Sequence, residues 1–193
     1  MTDIFIILLG AALINNIAVT QVLAADPILA ISHKDKVAWG FSYAMLLLLP
    51  ITTVLATSVT NFLLLPLGLQ YLQIFIFVLL IIIVVYALMM WSARGQTNSQ
   101  QANLKKFLPL AGINTTVLGC LLLNHQQHYN LLDSFFFSLG TAIGFTLILA
   151  MITAINKRLE FANVPKSFQG IPIMLITLGL LSIAFLGFTG LAR

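Results

Sequence analysis

Long apolar runs separated by short polar connections dominate this sequence. A helix needs about 20 consecutive apolar residues to cross a hydrocarbon core about 30 Å thick. Six runs approach or exceed this length, and none has Lys, Arg, Asp or Glu in its central part. The pattern predicts an all-α membrane protein with six transmembrane helices, at Ile4–Ala25, Val37–Val59, Leu69–Trp91, Phe107–Leu123, Leu131–Ile155 and Ile171–Leu191.

Polar side chains interrupt the first and the fourth of these runs. Asn15 and Asn16 lie within the first, and the segment 113–117 (INTTV) parallels the segment 14–18 (INNIA) 99 positions earlier. Unpaired polar groups are costly in hydrocarbon, so these side chains need partners within the protein. We interpret them as two broken helices that meet at a central site. The alternative is ordinary hydrogen bonding between helices, worth about 1 kcal/mol per contact.

A polar stretch at Ala93–Asn103 separates three predicted helices from the next three. Two three-helix halves joined in this way have opposite orientations in the membrane, as in inverted repeats with a functional site near the midplane. We therefore predict a first repeat over 1–92, a cytoplasmic linker over 93–106 and a second, inverted repeat over 107–193. Helices one and four, which open the two repeats, are predicted to be broken half-helices.

Composition and charge narrow the class and the topology. Apolar residues make up 60% of the chain and charged residues 7%, whereas soluble domains average about 25% charged residues. Eight of the nine basic residues follow helices one, three and five, which places those connections in the cytoplasm and both termini outside. They are scattered and do not form a basic surface that could bind nucleic acid, so no nucleic-acid partner is expected. The apolar composition makes the lipid bilayer the expected surroundings. The eight basic residues are Lys34, Lys36, Arg94, Lys105, Lys106, Lys157, Arg158 and Lys166.

The ends of the first helix raise two further questions. The first residues include Asp3 but no Lys or Arg, so we expect a permanent helix here and not a cleaved signal peptide. At the other end, Asp26 precedes Pro27. An acid near a membrane span is a candidate functional residue, but an Asp before a proline also ends helices and starts turns. Capping is the interpretation that the residues favour.

Other candidate residues have simpler interpretations. His125 and His128 have helical spacing, but no third ligand accompanies them, so a solvated loop is favoured over a metal site. Cys120 is the only cysteine and is interpreted as a small buried residue. Gly140 and Gly144 have the spacing that lets two helices approach closely. The chain has no nucleophile with a base and no phosphate loop, so it is not expected to be catalytic alone.

Three segments carry a resemblance to a known family. They are MTDIFIILLGAALINN, LKKFLPLAGINTTVLGCLLLN and INKRLEFANVPKSFQGIPIMLITLGLLSIAFLGFTGL. With the six-helix layout, the chain resembles the RnfA/RnfE/NqrD/NqrE family from end to end, and within it the A-type subunits of Rnf ion-translocating oxidoreductase complexes. The resemblance implies a multi-pass subunit of the bacterial inner membrane with both termini periplasmic. It also implies an E/D-type six-helix partner and electron transfer coupled to Na⁺ or H⁺ translocation.

The resemblance also implies a cofactor, for which this chain lacks the ligands. In such complexes each half-helix brings one cysteine to a [2Fe-2S] cluster shared with the E-type subunit. The matching positions here are Asp26 and Thr115. A Thr hydroxyl is a poor ligand for iron that prefers thiolate. Cys120 lies five residues beyond Thr115, about 7.5 Å along a helix, and cannot simply substitute.

Two functional hypotheses follow from these residues. The first is a membrane subunit of an Rnf/Nqr-like electron-transport complex without a conventional [2Fe-2S] cluster of its own. The second is a divergent paralogue that acts as an ion or small-solute transporter component or as a structural subunit. In both, the predicted central polar site consists of Asn15, Asn16, Asn114 and Thr116.

Overall fold

The computed structural model describes residues 2–21, 35–94 and 99–189. All regular secondary structure within these ranges is helical, which confirms the all-α class. Four of the described helices are long and apolar enough to cross a membrane, and a bent pair of helices makes up to five. The four long helices are Val37–Leu67, Gln70–Ser92, Leu131–Leu159 and Ile171–Phe188, and the bent pair is Lys106–Gly112 with Thr115–Gln126.

The helices are numbered here along the described part of the chain. Two of them run on into π-helical turns, and two are preceded by a short 3-10 turn. They are α1 (Thr2–Leu9, with the π turn Gly10–Ile14), α2 (Ile17–Thr20), α3 (Asp35–Val59, with the π turn Thr60–Leu64 and a last turn Leu65–Leu67), α4 (Gln73–Arg94, after the 3-10 turn Gln70–Leu72), α5 (Ser99–Gly112), α6 (Thr115–Gln126), α7 (Leu131–Leu159) and α8 (Ile171–Thr189, after the 3-10 turn Lys166–Phe168).

The boundaries differ from the predicted ones in two places. The second span continues beyond Val59 to Leu67, and Gly68 ends it with a positive φ of 66°, a conformation that glycine adopts without steric cost. Helix α5 begins at Ser99, so the later residues of the predicted linker 93–106 are helical, although the apolar span within this helix begins at Lys106. Its Gln, Ala, Leu and Lys residues are good helix formers, which explains the extension.

The first span is shorter in the described structure than in the prediction. Its apolar helix covers Ile4–Thr20, which is below the length of the four long spans. Residues 22–34 lie outside the described ranges. The predicted end of this span at Ala25, and Asp26 with its capping role, therefore stay predictions.

Helices α3 and α7 form the centre of the bundle. They make the most extensive pairwise contact between helices in the described structure. Phe41 of α3 and Phe145 of α7 are fully buried with ring centroids 5.7 Å apart, and Leu48 and Ile148 are fully buried as well. Pro50 lies within α3 without ending it. Large apolar side chains between these two helices thus make the core on which the other helices pack.

The interrupted helices pack on this centre in a reciprocal way. Helix α1 and its π turn lie against α7, whereas α5 and α6 lie against α3. Helix α8 covers α2 and the first π turn, and α4 covers α5 and α6. Each interrupted helix therefore packs on the central helix from the other half of the sequence, and is covered by the last helix of that other half.

Helix α7 approaches the first interrupted helix closely enough to need glycine. A Cβ atom on Gly140 would lie 2.5 Å from the carbonyl oxygen of Leu8, and one on Gly144 would lie 2.6 Å from that of Ala12. Real Cβ atoms essentially never come this close to a backbone oxygen. The interpretation of Gly140 and Gly144 as a close-packing pair is confirmed.

Candidate functional site

The first helix break is built around two consecutive asparagines. After the π turn, Asn15 has φ −105° and ψ 44°, and Asn16 is extended with φ −64° and ψ 108°. The side-chain oxygen of Asn16 accepts a hydrogen bond from the backbone N–H of Ala18 at 3.1 Å, and its amide nitrogen donates to the carbonyl of Ala12 at 3.0 Å. One side chain therefore joins the turn before the break to the turn after it.

The second break has the same cap. Asn114 is extended with φ −68° and ψ 130°, and its side-chain oxygen accepts from the backbone N–H and the hydroxyl of Thr116, each at 3.0 Å. Its amide nitrogen lies 3.9 Å from the sulfur of Met45 in α3. Helices α5 and α6 meet here at an angle of 50°. An N-cap asparagine stabilises a helix start because it satisfies a backbone N–H that has no partner within the helix.

The two caps change which residue of the first break corresponds to Asn114 in the second. The parallel between the two segments matched Asn114 with Asn15, whereas the structure gives the capping role to Asn16, 98 positions earlier. The residue that caps must have an extended backbone while the next residue is already helical. Asn16 meets this condition and Asn15 does not.

The predicted central residues divide into a buried group and an exposed group. Asn16, Asn114 and Thr116 are buried, at 1%, 6% and 0% exposure. Asn15 and Thr115 are exposed at the surface of the chain. Helices α2 and α6, which the two buried asparagines cap, contact each other. The structure thus brings the two capped helices into contact, and one polar side chain from each break lies on the outer surface.

The described donor atoms do not fit a conventional [2Fe-2S] cluster. Thr115 offers a neutral hydroxyl, and Cys120 is fully buried with its sulfur 3.9 Å from the hydroxyl oxygen of Thr53. Moving that thiol to the exposed position of Thr115 would require more than one helical turn. The other position that the resemblance indicates, Asp26, lies outside the described residues. Cys120 has instead the small, buried packing role that the sequence predicts.

A second group of polar residues, which the sequence pattern did not single out, lies at the far end of α6. The amide nitrogen of Asn124 donates to the hydroxyl of Thr57 at 2.9 Å, and that hydroxyl donates to Ser134 at 3.0 Å. His125 lies next to this group, with its ring centroid 6.0 Å from that of His128. Two features of the sequence could have indicated this group. Thr53, Thr57 and Thr60 have helical spacing and so share one helix face, and the fourth apolar run ends in polar residues.

Burial makes the reactivity of Cys120 testable. We expect no labelling of the native chain by maleimide in mild detergent, and one label per chain after denaturation in SDS, because the thiol has no exposed surface. Gln127→Cys is the positive control, since Gln127 is exposed in the turn after α6. Rapid labelling of the native wild-type chain at Cys120 would contradict the packing described here.

The fold and the two capped breaks define a class: a multi-pass α-helical membrane protein in which two interrupted helices meet. The family model described as "Rnf-Nqr subunit, membrane protein" matches residues 4–192, and the chain belongs to this family. Its relatives include the A subunits of the ion-translocating oxidoreductase complexes of Edwardsiella ictaluri and Colwellia psychrerythraea. These are 39% and 38% identical over 193 residues, covering all of both chains. The corresponding protein from Vibrio atlanticus is 36% identical over the same length.

Proposed function

We propose that this chain is the A-type member of an ion-translocating oxidoreductase complex, in which electron transfer drives Na⁺ or H⁺ across the membrane. The observation that carries the proposal is similarity over the full length to proteins named as the A subunits of such complexes. The pair of capped breaks supports it, because helices broken within a membrane protein are found where ions or substrates are handled. Other subunits of the complex are the expected partners.

The topology that we propose has six spans arranged as two inverted repeats in a bacterial inner membrane, with both termini periplasmic. Equivalent asparagine caps and the reciprocal packing of the interrupted helices support the repeat. Charge supports the orientation: Lys157 and Arg158 lie in the last turn of α7, and Lys166 follows it. Positive residues near span ends favour the cytoplasmic side.

The surface at the two breaks is the proposed contact with a six-helix E/D-type partner. Asn15 and Thr115 are exposed there, and Ile113 is 85% exposed. Backbone and side-chain polar groups at a helix break are not tolerated against lipid, so another protein must cover them. The mostly apolar surroundings of these groups suit a permanent contact between two membrane proteins.

This contact contributes no thiolate to a shared [2Fe-2S] cluster in the proposed complex. Thr115 and Asp26 stand where the family resemblance indicates ligands, and Cys120 is buried away from that surface. We therefore propose that the A-type role of this chain is to build the ion-translocating membrane unit with its partner, without a conventional cluster of its own.

Co-purification tests whether the chain belongs to such a complex. The tagged chain, expressed together with the genes of its own operon, is expected to bring down an E/D-type six-helix protein in equal amount. Thr115→Arg is expected to abolish this, because it puts a charge into an apolar contact. Gln127→Arg is the matched control, since it adds the same charge at an exposed position just beyond the same helix. Isolation of the chain alone in a transport-active form would support the transporter alternative instead.

Iron analysis and EPR of the reduced complex test the absence of a cluster at this contact. We expect no [2Fe-2S] signal that depends on Asp26 or Thr115, so Asp26→Ala and Thr115→Ala should leave the spectrum unchanged. A stoichiometric signal that Asp26→Ala removes would refute the cluster-free contact, while leaving membership of the complex intact.

A further inference from the structure

A cavity of about 220 Å³ lies at one end of the described bundle. It lies where the π turn of α3, the start of α4 and the connection from α6 to α7 meet, and it is partly open to the outside. A water molecule occupies about 30 Å³ of liquid, so the cavity has room for a hydrated ion. The polar side chains that matter for its chemistry are Thr57, Thr60, Asn61, Asn124, His125 and Tyr129.

Two residues that line the cavity each carry a buried side-chain oxygen with no hydrogen-bond partner in the part of the chain that the structure describes. These oxygens are the side-chain carbonyl oxygen of Asn124 and the hydroxyl oxygen of Thr60. Both residues are deeply buried, at 4% exposure each. A buried polar group without a partner costs about 1–3 kcal/mol. Two such groups beside one cavity therefore need a partner from outside the described residues, which is either water or a bound ion.

A hydrogen-bonded chain sets the orientation of the Asn124 amide. Its nitrogen donates to the hydroxyl of Thr57 at 2.9 Å. The single hydroxyl proton of Thr57 is shared between the carbonyl of Thr53 and the hydroxyl of Ser134, each at 3.0 Å, and Ser134 donates to the carbonyl of Tyr129 at 3.5 Å. The hydroxyl proton of Thr57 is thus used, so Thr57 must accept from the amide. The carbonyl oxygen of Asn124 is left as a free acceptor.

The hydroxyl of Thr60 is free at the start of the π turn of α3. Thr52, Thr53 and Thr57 each donate to a backbone carbonyl four residues earlier in α3. Thr60 opens the π turn, and its hydroxyl makes no such bond within the described residues. The hydroxyl oxygen is therefore available as a ligand, and single π turns inside helices are frequent at functional sites.

The chemistry of the wall favours a monovalent cation. Both free oxygens can accept or coordinate, and none of the described lining residues is Lys or Arg. The lining includes His125 and His128, and the pKa of His125 is lowered by burial and by the charge of His128, which favours its neutral form over an anion-binding cation. None of these lining residues carries a carboxylate either. Divalent Ca²⁺ and Mg²⁺ bind through carboxylates, whereas neutral carbonyl and hydroxyl oxygens suffice for a singly charged ion.

The charged residues near the cavity also favour a cation over an anion. The pKa of Tyr129 is raised by burial and by the negative charge of Asp133, so its phenol stays neutral at pH 7. The field of Asp133 therefore reaches the cavity wall and attracts a cation. Lys157 and Arg158 lie at the other end of α7, a helix about 43 Å long at 1.5 Å per residue, too far away to repel one.

We propose that this cavity binds a monovalent cation, with the oxygens of Asn124 and Thr60 as ligands and water completing the shell. Its role rests on the proposed function: the cavity is an outer station for the translocated ion, on the face opposite the basic residues. Binding itself is a property of this chain and can be tested without the other subunits.

The test uses the purified full-length chain in lipid nanodiscs, with ²²Na⁺ as the probe and choline chloride keeping the ionic strength constant. We expect saturable ²²Na⁺ binding and a higher Tm in Na⁺ than in choline, because a ligand that binds only the folded state stabilises it. Thr60→Val and Asn124→Leu should each weaken binding about tenfold or more, since each removes one ligand oxygen. Thr60→Ser keeps the hydroxyl and should bind like the wild type.

The Thr60→Val variant separates loss of binding from loss of folding. It removes a buried hydroxyl that has no partner among the described residues, so the Tm in choline should stay the same or rise. Ser182→Ala is the control, because its hydroxyl bonds to the carbonyl of Val19 and not to the cavity. An equal Tm in Na⁺ and choline, or unchanged ²²Na⁺ affinity in both ligand variants, would overturn the proposal. Neither result bears on the co-purification test of membership in the complex.

Discussion

Gly144→Ala is expected to lower the free energy of unfolding by about 1–3 kcal/mol, a large effect for one added methyl group. The new Cβ would lie 2.6 Å from the carbonyl oxygen of Ala12 and 2.8 Å from the amide nitrogen of Asn16. The first of these atoms belongs to the backbone, so α7 and the first π turn must separate to admit it. Separation would also disturb the bond between Asn16 and Ala12 that spans the break.

Gly179→Ala is the matched control for this change. Gly179 is also in a long apolar helix, but a Cβ there would have no neighbour within 4 Å among the described residues. Alanine is more favourable than glycine in a helix by about 1 kcal/mol, so stability should be unchanged or slightly higher. Thermal unfolding of both variants in the same detergent measures the difference. Equal Tm values for the two variants would contradict the close contact at Gly144.

Asn16→Leu is expected to destabilise the chain by about 1–3 kcal/mol for each polar group that it leaves unpaired. The backbone N–H of Ala18 loses its acceptor and the carbonyl of Ala12 loses a donor, both in a buried region. Asn114→Leu should act in the same way, because the N–H of Thr116 loses its acceptor. Thermal unfolding and co-purification with the E/D-type partner both measure the effect.

Two further variants test whether loss of the helix cap causes the destabilisation by Asn16→Leu. Asn16→Ser keeps an oxygen that can cap the helix, so we expect it to recover part of the lost stability. Asn15→Leu changes the exposed neighbour and should cost much less than Asn16→Leu. A cost for Asn15→Leu as large as that for Asn16→Leu would contradict the assignment of the cap to Asn16.

The sequence alone determined the class of this protein and the places of its helices. Length and composition of an apolar run decide whether a segment can cross a bilayer, and both are local properties. The breaks at the first and fourth helices were predicted because polar side chains within an apolar run need partners inside the protein. Accuracy was lower at helix ends: α3 continued to Leu67 and α5 began at Ser99.

Only the tertiary structure decided which of these polar residues are buried and what they contact. Asn15 and Asn16 are indistinguishable in the sequence, and the cap belongs to Asn16 because its backbone is extended where the next helix begins. The Asn16 side chain also lies against Gly144 of α7. The cavity at Asn124 and Thr60 arises from segments more than 60 positions apart. Such contacts depend on how helices from the two halves pack together, so no local pattern in the sequence can reveal them.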